Sequence, residues 1–333
     1  MGADLDVDVC PTPRYVLFDT NIFLDVANGR IGPNECRQAE QALRPDGLGR
    51  VSTLSVIELG CGLNDQQKWH RYALAFQAVV ALCSRALPDP SFFFRREILK
   101  LETCTPAFES DGAWRLCEHV AAVDSHASLC EWVRRKDQQG RDLIERAALV
   151  ALPDVRASYE SSYIARVGRL RELLLNRTGT ISAPSGKPVA RPGPTRERWL
   201  QELDSNDFGF VFLALEAHAI GVPLIGQRVD RDADAVALIT PFLDALRSLL
   251  RAAVVSDYNI EKHKNDFVDI LLLLHLADER VLFVTNDRRL RERIPSDATY
   301  GHRIVDFKGW LAQTSRQTDQ TPGSRRIRNN ERH

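Results

Sequence analysis

The sequence predicts an α/β fold, on two observations. Two apolar, β-type runs each end in a polar, acidic turn: Val16-Leu17-Phe18-Asp19-Thr20-Asn21 near the start and Val281-Leu282-Phe283-Val284-Thr285-Asn286-Asp287 near the end. Between them, apolar residues recur at helical spacing, from Gln66 to Leu87 and again after Asp111.

The first run puts Asp19 where a strand hands over to a helix. Ligands of open α/β sheets bind outside the carboxyl ends of strands, and an acid placed there suits a hard cation such as Mg2+ or Mn2+. Asp and Asn are also favoured helix caps, so capping by Asp19 or Asn21 accounts for the same residues. Next comes Ser52-Thr53-Leu54-Ser55-Val56-Ile57-Glu58-Leu59-Gly60, where Glu58 interrupts an apolar strand or core helix. A lone buried Glu is costly unless it is paired or bound to metal. The stretch Asn265 to Leu276 reads as a buried helix with Asp266 and Asp269 in its first turn, three apart and so neighbours on one face. Acids at a helix start also suit its dipole. The last run ends at Asp287, bringing a second carboxylate to a strand end.

The order of these pieces resembles the PIN-domain nuclease family, the VapC-like metal-dependent ribonucleases. That family shows a strand ending in Asp, a Ser/Thr-rich turn leading to a Glu, a helix-borne Asp and a strand ending in Thr-Asn-Asp. The matching positions here are Asp19, Glu58, Asp269 and Asp287. The sixteen-residue gap from Asp269 to Thr285 fits the family's spacing better than the gap from Asp266, which stays as the alternative ligand. The resemblance implies a three-layer α/β/α fold with a central parallel sheet. It also implies that the four acids ligate one or two Mg2+ or Mn2+ ions to hydrolyse phosphodiester bonds of single-stranded RNA. Carboxylates so crowded raise each other's pKa values and are stable at neutral pH mainly around a divalent cation. Asn21, Thr285 and Asn286 would orient waters around the metal or a ligand acid.

The resemblance divides the chain. Residues 14–90 and 251–312 would be the two parts of the PIN domain, and 91–250 a mostly helical insertion that the family pattern does not predict. Within it, the breaker-rich segment Ala183 to Pro194 is expected as a mobile Pro/Gly loop spanning roughly 181–195. Residues 313–333, which lack apolar periodicity, are expected as a disordered basic tail. Relatives in the family act as toxins restrained by an antitoxin or as defence effectors, so an inhibitory or regulatory protein partner is implied here. A homo-oligomer stays open. The competing expectation is an inert PIN-like scaffold that binds RNA or a protein through the helical insertion.

Composition narrows the field. With 44% hydrophobic residues, 27% charged and a net charge of −1, the chain is long enough for one large core or two smaller ones and carries no global basic footprint. Cations instead flank the acids locally: Lys262, His263 and Lys264 before the helix, and Arg288, Arg289, Arg291 and Arg293 after Asp287. They suit phosphates beside a metal, or equally a solvated helix end. Phe92-Phe93-Phe94 suits a core anchor better than base stacking. The seven dispersed cysteines read as reduced core residues. In the cluster of Cys117, His119, His126 and Cys130, the last three could share a helical face, but without a paired Cys-x-x-Cys they read as a core stripe and not a zinc site. The apolar run Leu271 to Leu274 is too short to span a bilayer and the start has no apolar signal core, so no membrane and a cytoplasmic location are expected. A haloacid-dehalogenase-type phosphohydrolase would want Asp where Asn21 stands, and a nicotinamide enzyme would want Gly-x-Gly-x-x-Gly after the first strand.

Overall fold

A computed structural model describes residues 15–44, 47–98, 110–134, 149–158, 160–161, 164–165, 178–182, 188–192, 196–205, 207–210, 212–213, 233–255, 258–259, 261–263 and 265–320. Their strands are β1 (Tyr15–Phe18), β2 (Gly49–Ser52), β3 (Arg85–Leu87), β4 (Thr178–Ser182), β5 (Pro188–Pro192), β6 (Val281–Val284) and β7 (Ile304–Val305). Five form one sheet in the order β3-β2-β1-β6-β7, every neighbour parallel. The chain steps outward from β1 through β2 to β3, then returns on the other side of β1. The order therefore reverses between β1 and β6, the place where open α/β sheets leave a crevice at their carboxyl edge. In-register pairing of Phe18 with Val284 brings both predicted acidic turns to that edge.

Parallel strands covered on both faces read as continuous apolar runs, and all four residues of β6 are buried. Side chains alternate across the sheet. Val16, Phe18, Leu282 and Val284 join one core and Leu17, Val281 and Phe283 the other. The first core is filled by α1 (Thr20–Ala27), α2 (Pro33–Leu43), α3 (Thr53–Cys61), α4 (Trp69–Leu82) and the C-terminal helix Phe307–Gln320, whose Trp310 meets Phe18 edge-on at 5.3 Å. The second holds the helices Thr240–Val255 and Asp266–Leu271, the latter running on as a 3-10 helix Leu272–Ala277.

The stretch 91–250, an insertion by sequence, is shared between these cores. Leu116, Cys117, Val120, Leu129, Trp132, Leu149 and Leu152 enter the first, whereas Leu203, Leu213, Phe242, Leu246 and Leu249 enter the second. Phe94 is buried and packs on Phe212, at 5.9 Å between ring centroids, as a core anchor.

Two expectations need correction. The Pro/Gly segment is not simply a loop: β4 and β5 pair antiparallel from Thr178↔Pro192 to Ser182↔Pro188, forming a separate two-stranded ribbon. Proline is tolerated on an edge strand, where its missing N–H faces away from the ladder, and both strands of a two-stranded ribbon are edges. Residues 183–187 and 193–195 lie outside the described residues. At the other end, the helix Phe307–Gln320 continues past 313, so the first eight residues of the expected disordered tail are helical and 321–333 lie outside the described residues. Among the described residues no helix is long and apolar enough to cross a membrane.

Candidate active site

Asp19 stands at the end of β1, buried, and its side chain makes no capping hydrogen bond to α1. Its Oδ2 instead accepts from the Thr285 hydroxyl at 2.6 Å and from the Asn21 amide. Thr285 Oγ1 in turn accepts from Asn21 Nδ2 (3.2 Å) and from the Asp287 backbone N–H (3.0 Å). Asn286 closes the network: its backbone N–H donates to Asn21 Oδ1 (3.1 Å), its amide donates to Asp25 (2.9 Å), and its own Oδ1 accepts from the Phe307 N–H (3.2 Å). Asn21, Thr285 and Asn286 thus lace the ends of β1 and β6 together and fix the Asp19 carboxylate.

Glu58 arrives on α3, which starts directly after β2 with the Ser52 hydroxyl accepting from the Leu54 N–H at 3.3 Å. One Glu58 oxygen accepts from the Thr20 hydroxyl at 2.6 Å. Asp287 caps the short helix Arg288–Glu292, its Oδ1 accepting from the N–H groups of Arg289 (2.7 Å) and Leu290 (3.1 Å). The two candidate helix acids have different surroundings. Asp266 is engaged elsewhere, accepting from the Tyr258 hydroxyl at 2.8 Å and paired with Arg293. Asp269 lies within reach of the charges of Glu58, Asp19 and Asp287.

The electrostatics reflect this crowding. Burial, reinforced by Glu58 and Asp287 and opposed by the Thr285 hydrogen bond, pushes the Asp19 carboxyl up to about 7. Burial, then Glu58, Asp19, Asp287 and Asp266 in turn, holds Asp269 well above the carboxylate range. Burial also raises Glu58, against the Thr20 hydrogen bond and the positive charge of Arg156. Oxygen donors of this kind fit a hard divalent cation, which would relieve the repulsion. They do not form a finished cage: among the described residues no three His, Cys, Asp or Glu side chains stand as a group that could hold a metal. Glu58 and Asp287 each commit an oxygen to a hydrogen bond that metal binding would have to share or break.

The flanking cations divide. Arg288 and Arg289 are exposed, Arg288 pairing with Glu292 at 2.6 Å, and Lys262 is exposed as well. Arg291 pairs with Asp306 (3.1 Å) and Arg293 with Asp266, so these two are held as structure. Lys264 lies outside the described residues. Of the Cys/His stripe only Cys117 is buried in the core; His119, His126 and Cys130 are half-buried, His119 stacking on Trp132 with 3.8 Å between centroids and His126 contacting Cys130 at 3.8 Å.

Sequence reasoning missed four residues near the acids. Thr20 sits inside the first motif, and its hydroxyl at a strand end was the available signal. Arg156 and Glu160 are legible only as a helical i, i+4 pair. His275 is buried with its Nε2 3.2 Å from Ser52 Oγ, and burial pushes it down to about 4, so it serves as a neutral core residue beneath α3. Thr285→Val should cost about 1–3 kcal/mol in denaturant unfolding, because it strips a donor from Asp19 and leaves the Asp287 N–H without its acceptor. No protein-family model matches the chain, and neither a curated protein nor a solved structure does.

Proposed function

We propose that this protein is a PIN-like, metal-dependent endoribonuclease acting on single-stranded RNA. The observation that carries this reading is that Asp19, buried at the end of β1, shares the carboxyl edge of the β1/β6 reversal with the turn of Asp287, and that burial first and the charges of neighbouring acids second raise the Asp19 and Asp269 carboxyls, Glu58 and Asp287 acting on both. Such a cluster is unfavourable as an apoprotein feature and favourable as a cation site. Bound there, one or two Mg2+ or Mn2+ ions would activate water and stabilise charge on the leaving oxygen of a phosphodiester. The chain's own groups do the rest. Thr285 and Asn21 hold the Asp19 carboxylate in one orientation, Thr20 holds Glu58, and the Asp287 cap fixes the turn after β6. Arg288 and Arg289, exposed just after Asp287, and Lys262, exposed ahead of the helix that carries Asp269, would take neighbouring phosphates. The three-layer α/β/α arrangement of the PIN family agrees with helices entering a core on each face of the sheet.

One observation favours the competing reading of an inert scaffold, namely that no three acids already form a metal-holding group among the described residues. A single experiment separates the two. Labelled single-stranded RNA is incubated with the protein in Mn2+, Mg2+ or EDTA, alongside Asp19→Asn and Asp269→Asn. Cleavage should require metal and fall at least about a hundredfold in each variant. Folded wild-type protein that is as inactive as the variants on RNA and on single-stranded DNA would overturn the nuclease reading.

A further inference from the structure

At the amino end of the sheet, away from the acids, Arg50 on β2 and Arg85 on β3 are partners in the parallel ladder and so stand side by side on one face. It is the face of the second core, where Leu17, paired with Arg50, and Leu87 pack. Two like charges one strand spacing apart repel, and among the described residues no carboxylate pairs with either. Arg50 is fixed through a single nitrogen. Its Nη1 donates to the carbonyls of Gly47 and Gly49, the latter at 2.8 Å, and to the Ser84 hydroxyl at 2.6 Å. The guanidinium lies over the Tyr15 ring, 4.7 Å from its centroid. Nε and Nη2 donate to no group among the described residues, and neither is buried. Arg280 shows what this edge of a guanidinium takes: it lies over the same ring at 5.5 Å, and its Nε and Nη2 grip the Asp278 carboxylate at 2.9 and 2.7 Å. Arg50 presents a fork of the same kind, held rigid, with the exposed Arg85 beside it.

We propose that the Nε/Nη2 edge of Arg50, together with Arg85, is a binding site for a phosphate group. A planar guanidinium fork matches two oxygens of a phosphate or of a carboxylate. A carboxylate would spend both oxygens on the fork and leave Arg85 unmatched. A phosphate ester has a third oxygen for Arg85, and a nucleic-acid strand has a neighbouring phosphate for it. In keeping with this, burial lowers the Arg50 guanidinium, with Arg85 reinforcing and Tyr15 opposing, and a bound anion relieves both the burial and the repulsion. The length of β1, roughly 13 Å at the usual strand rise, separates this site from Asp19. It goes beyond the nuclease reading and does not depend on it.

Binding measured on the full chain in EDTA, where no metal-dependent cleavage competes, tests the site. A short labelled single-stranded RNA is followed by fluorescence anisotropy, and inorganic phosphate by its phosphorus NMR line width. Arg85→Gln, an exposed change with no side-chain partner to lose, should weaken binding about five- to tenfold and lower the salt slope of RNA binding by about one. Arg50→Lys, which keeps the charge without the fork, should lose as much. Arg71→Gln, exposed on α4 across the sheet, should change nothing. Arg85→Glu, which reverses the charge, should abolish binding and carries the test if Arg50→Lys does not fold. A loss seen with RNA assigns the phosphate to a nucleic-acid strand, and a loss seen with inorganic phosphate alone assigns it to a free phosphate ester. Wild-type protein that binds neither, folded Arg85 variants that bind both as wild type does, or acetate that displaces RNA as well as phosphate does would each overturn the site. RNA binding that depends on Arg85, without cleavage in Mn2+, would leave the site standing and count against the nuclease reading alone.

Discussion

Asp19→Asn should make the metal-free protein more stable at pH 8 than wild type, and on the proposed metal-site reading should abolish any stabilisation by added Mn2+. In the folded chain the Asp19 carboxyl is pushed up from 3.8 to about 7, chiefly by burial. Between those two values the unfolded chain has already lost the proton that the folded chain still binds, so wild-type stability falls as pH rises across the window. The full effect is roughly 4 kcal/mol at and above neutral pH, and it vanishes below pH 4. Asn resembles the protonated acid in shape and in lacking charge, so the variant should escape this slope. His275 contributes the opposite slope: pushed down to about 4 by burial, it destabilises the fold as pH falls from about 6.5 toward 4. Urea unfolding at pH 4, 6 and 8 in EDTA and in Mn2+ separates these contributions. A variant less stable than wild type at pH 8 in EDTA would contradict the burial argument.

Gly49→Ala should destabilise by about 3 kcal/mol or more, out of proportion to one methyl group. A Cβ there would lie 1.8 Å from the Leu82 carbonyl oxygen, 2.9 Å from its carbon and 3.1 Å from Cys83 Cα. All three are backbone atoms at the end of α4, so no rotamer change relieves the clash. Gly49 also opens β2, pairs with Val16 and accepts the Ser84 N–H at 3.0 Å, so a shift there moves the strand that delivers α3 and Glu58. Gly301→Ala, where an added Cβ meets nothing within 4 Å, is the control and should stay within about 0.5 kcal/mol of wild type. Equal urea midpoints for the two variants would refute the close approach.

The candidate site was legible where chemistry and chain order coincide. Asp19 and Asp287 stand out because an acid ends an apolar run, and β1 pairing with β6 places them as those runs suggest. Glu58 stands out because an acid interrupts a segment that is otherwise buried. Spacing alone favoured Asp269 over Asp266, and the fold adds that Asp266 is engaged by Tyr258, eight residues before it, and by Arg293, twenty-seven residues after it. The place of Arg156 was illegible for the same reason: its Nη2 donates to Asn265, 109 residues further along the chain. Helical periodicity correctly foretold helices between 91 and 250 but could not say which face of the sheet each would cover. The paired strands β4 and β5 were hidden because Pro and Gly signal turns more strongly than the short β-type stretches beside them signal strands.

The sharing of the middle of the chain between both cores bears on how the molecule is made. The Thr285–Asp19 hydrogen bond joins residues 266 apart, and the neighbouring β1–β6 ladder is equally non-local. During synthesis β1 and β2 emerge early, yet β1 keeps an unpaired edge until β6 follows, and an open apolar strand edge invites pairing with other chains. Helices such as Ser110–Ala122 and Thr240–Val255, emerging meanwhile, are available to shield the two apolar faces before the sheet closes. Asp269 and Asp287 flank β6 in the chain, so the acids would come together only after most of the chain has emerged, and a product truncated before β6 carries Asp19 and Glu58 without Asp287 and without the site.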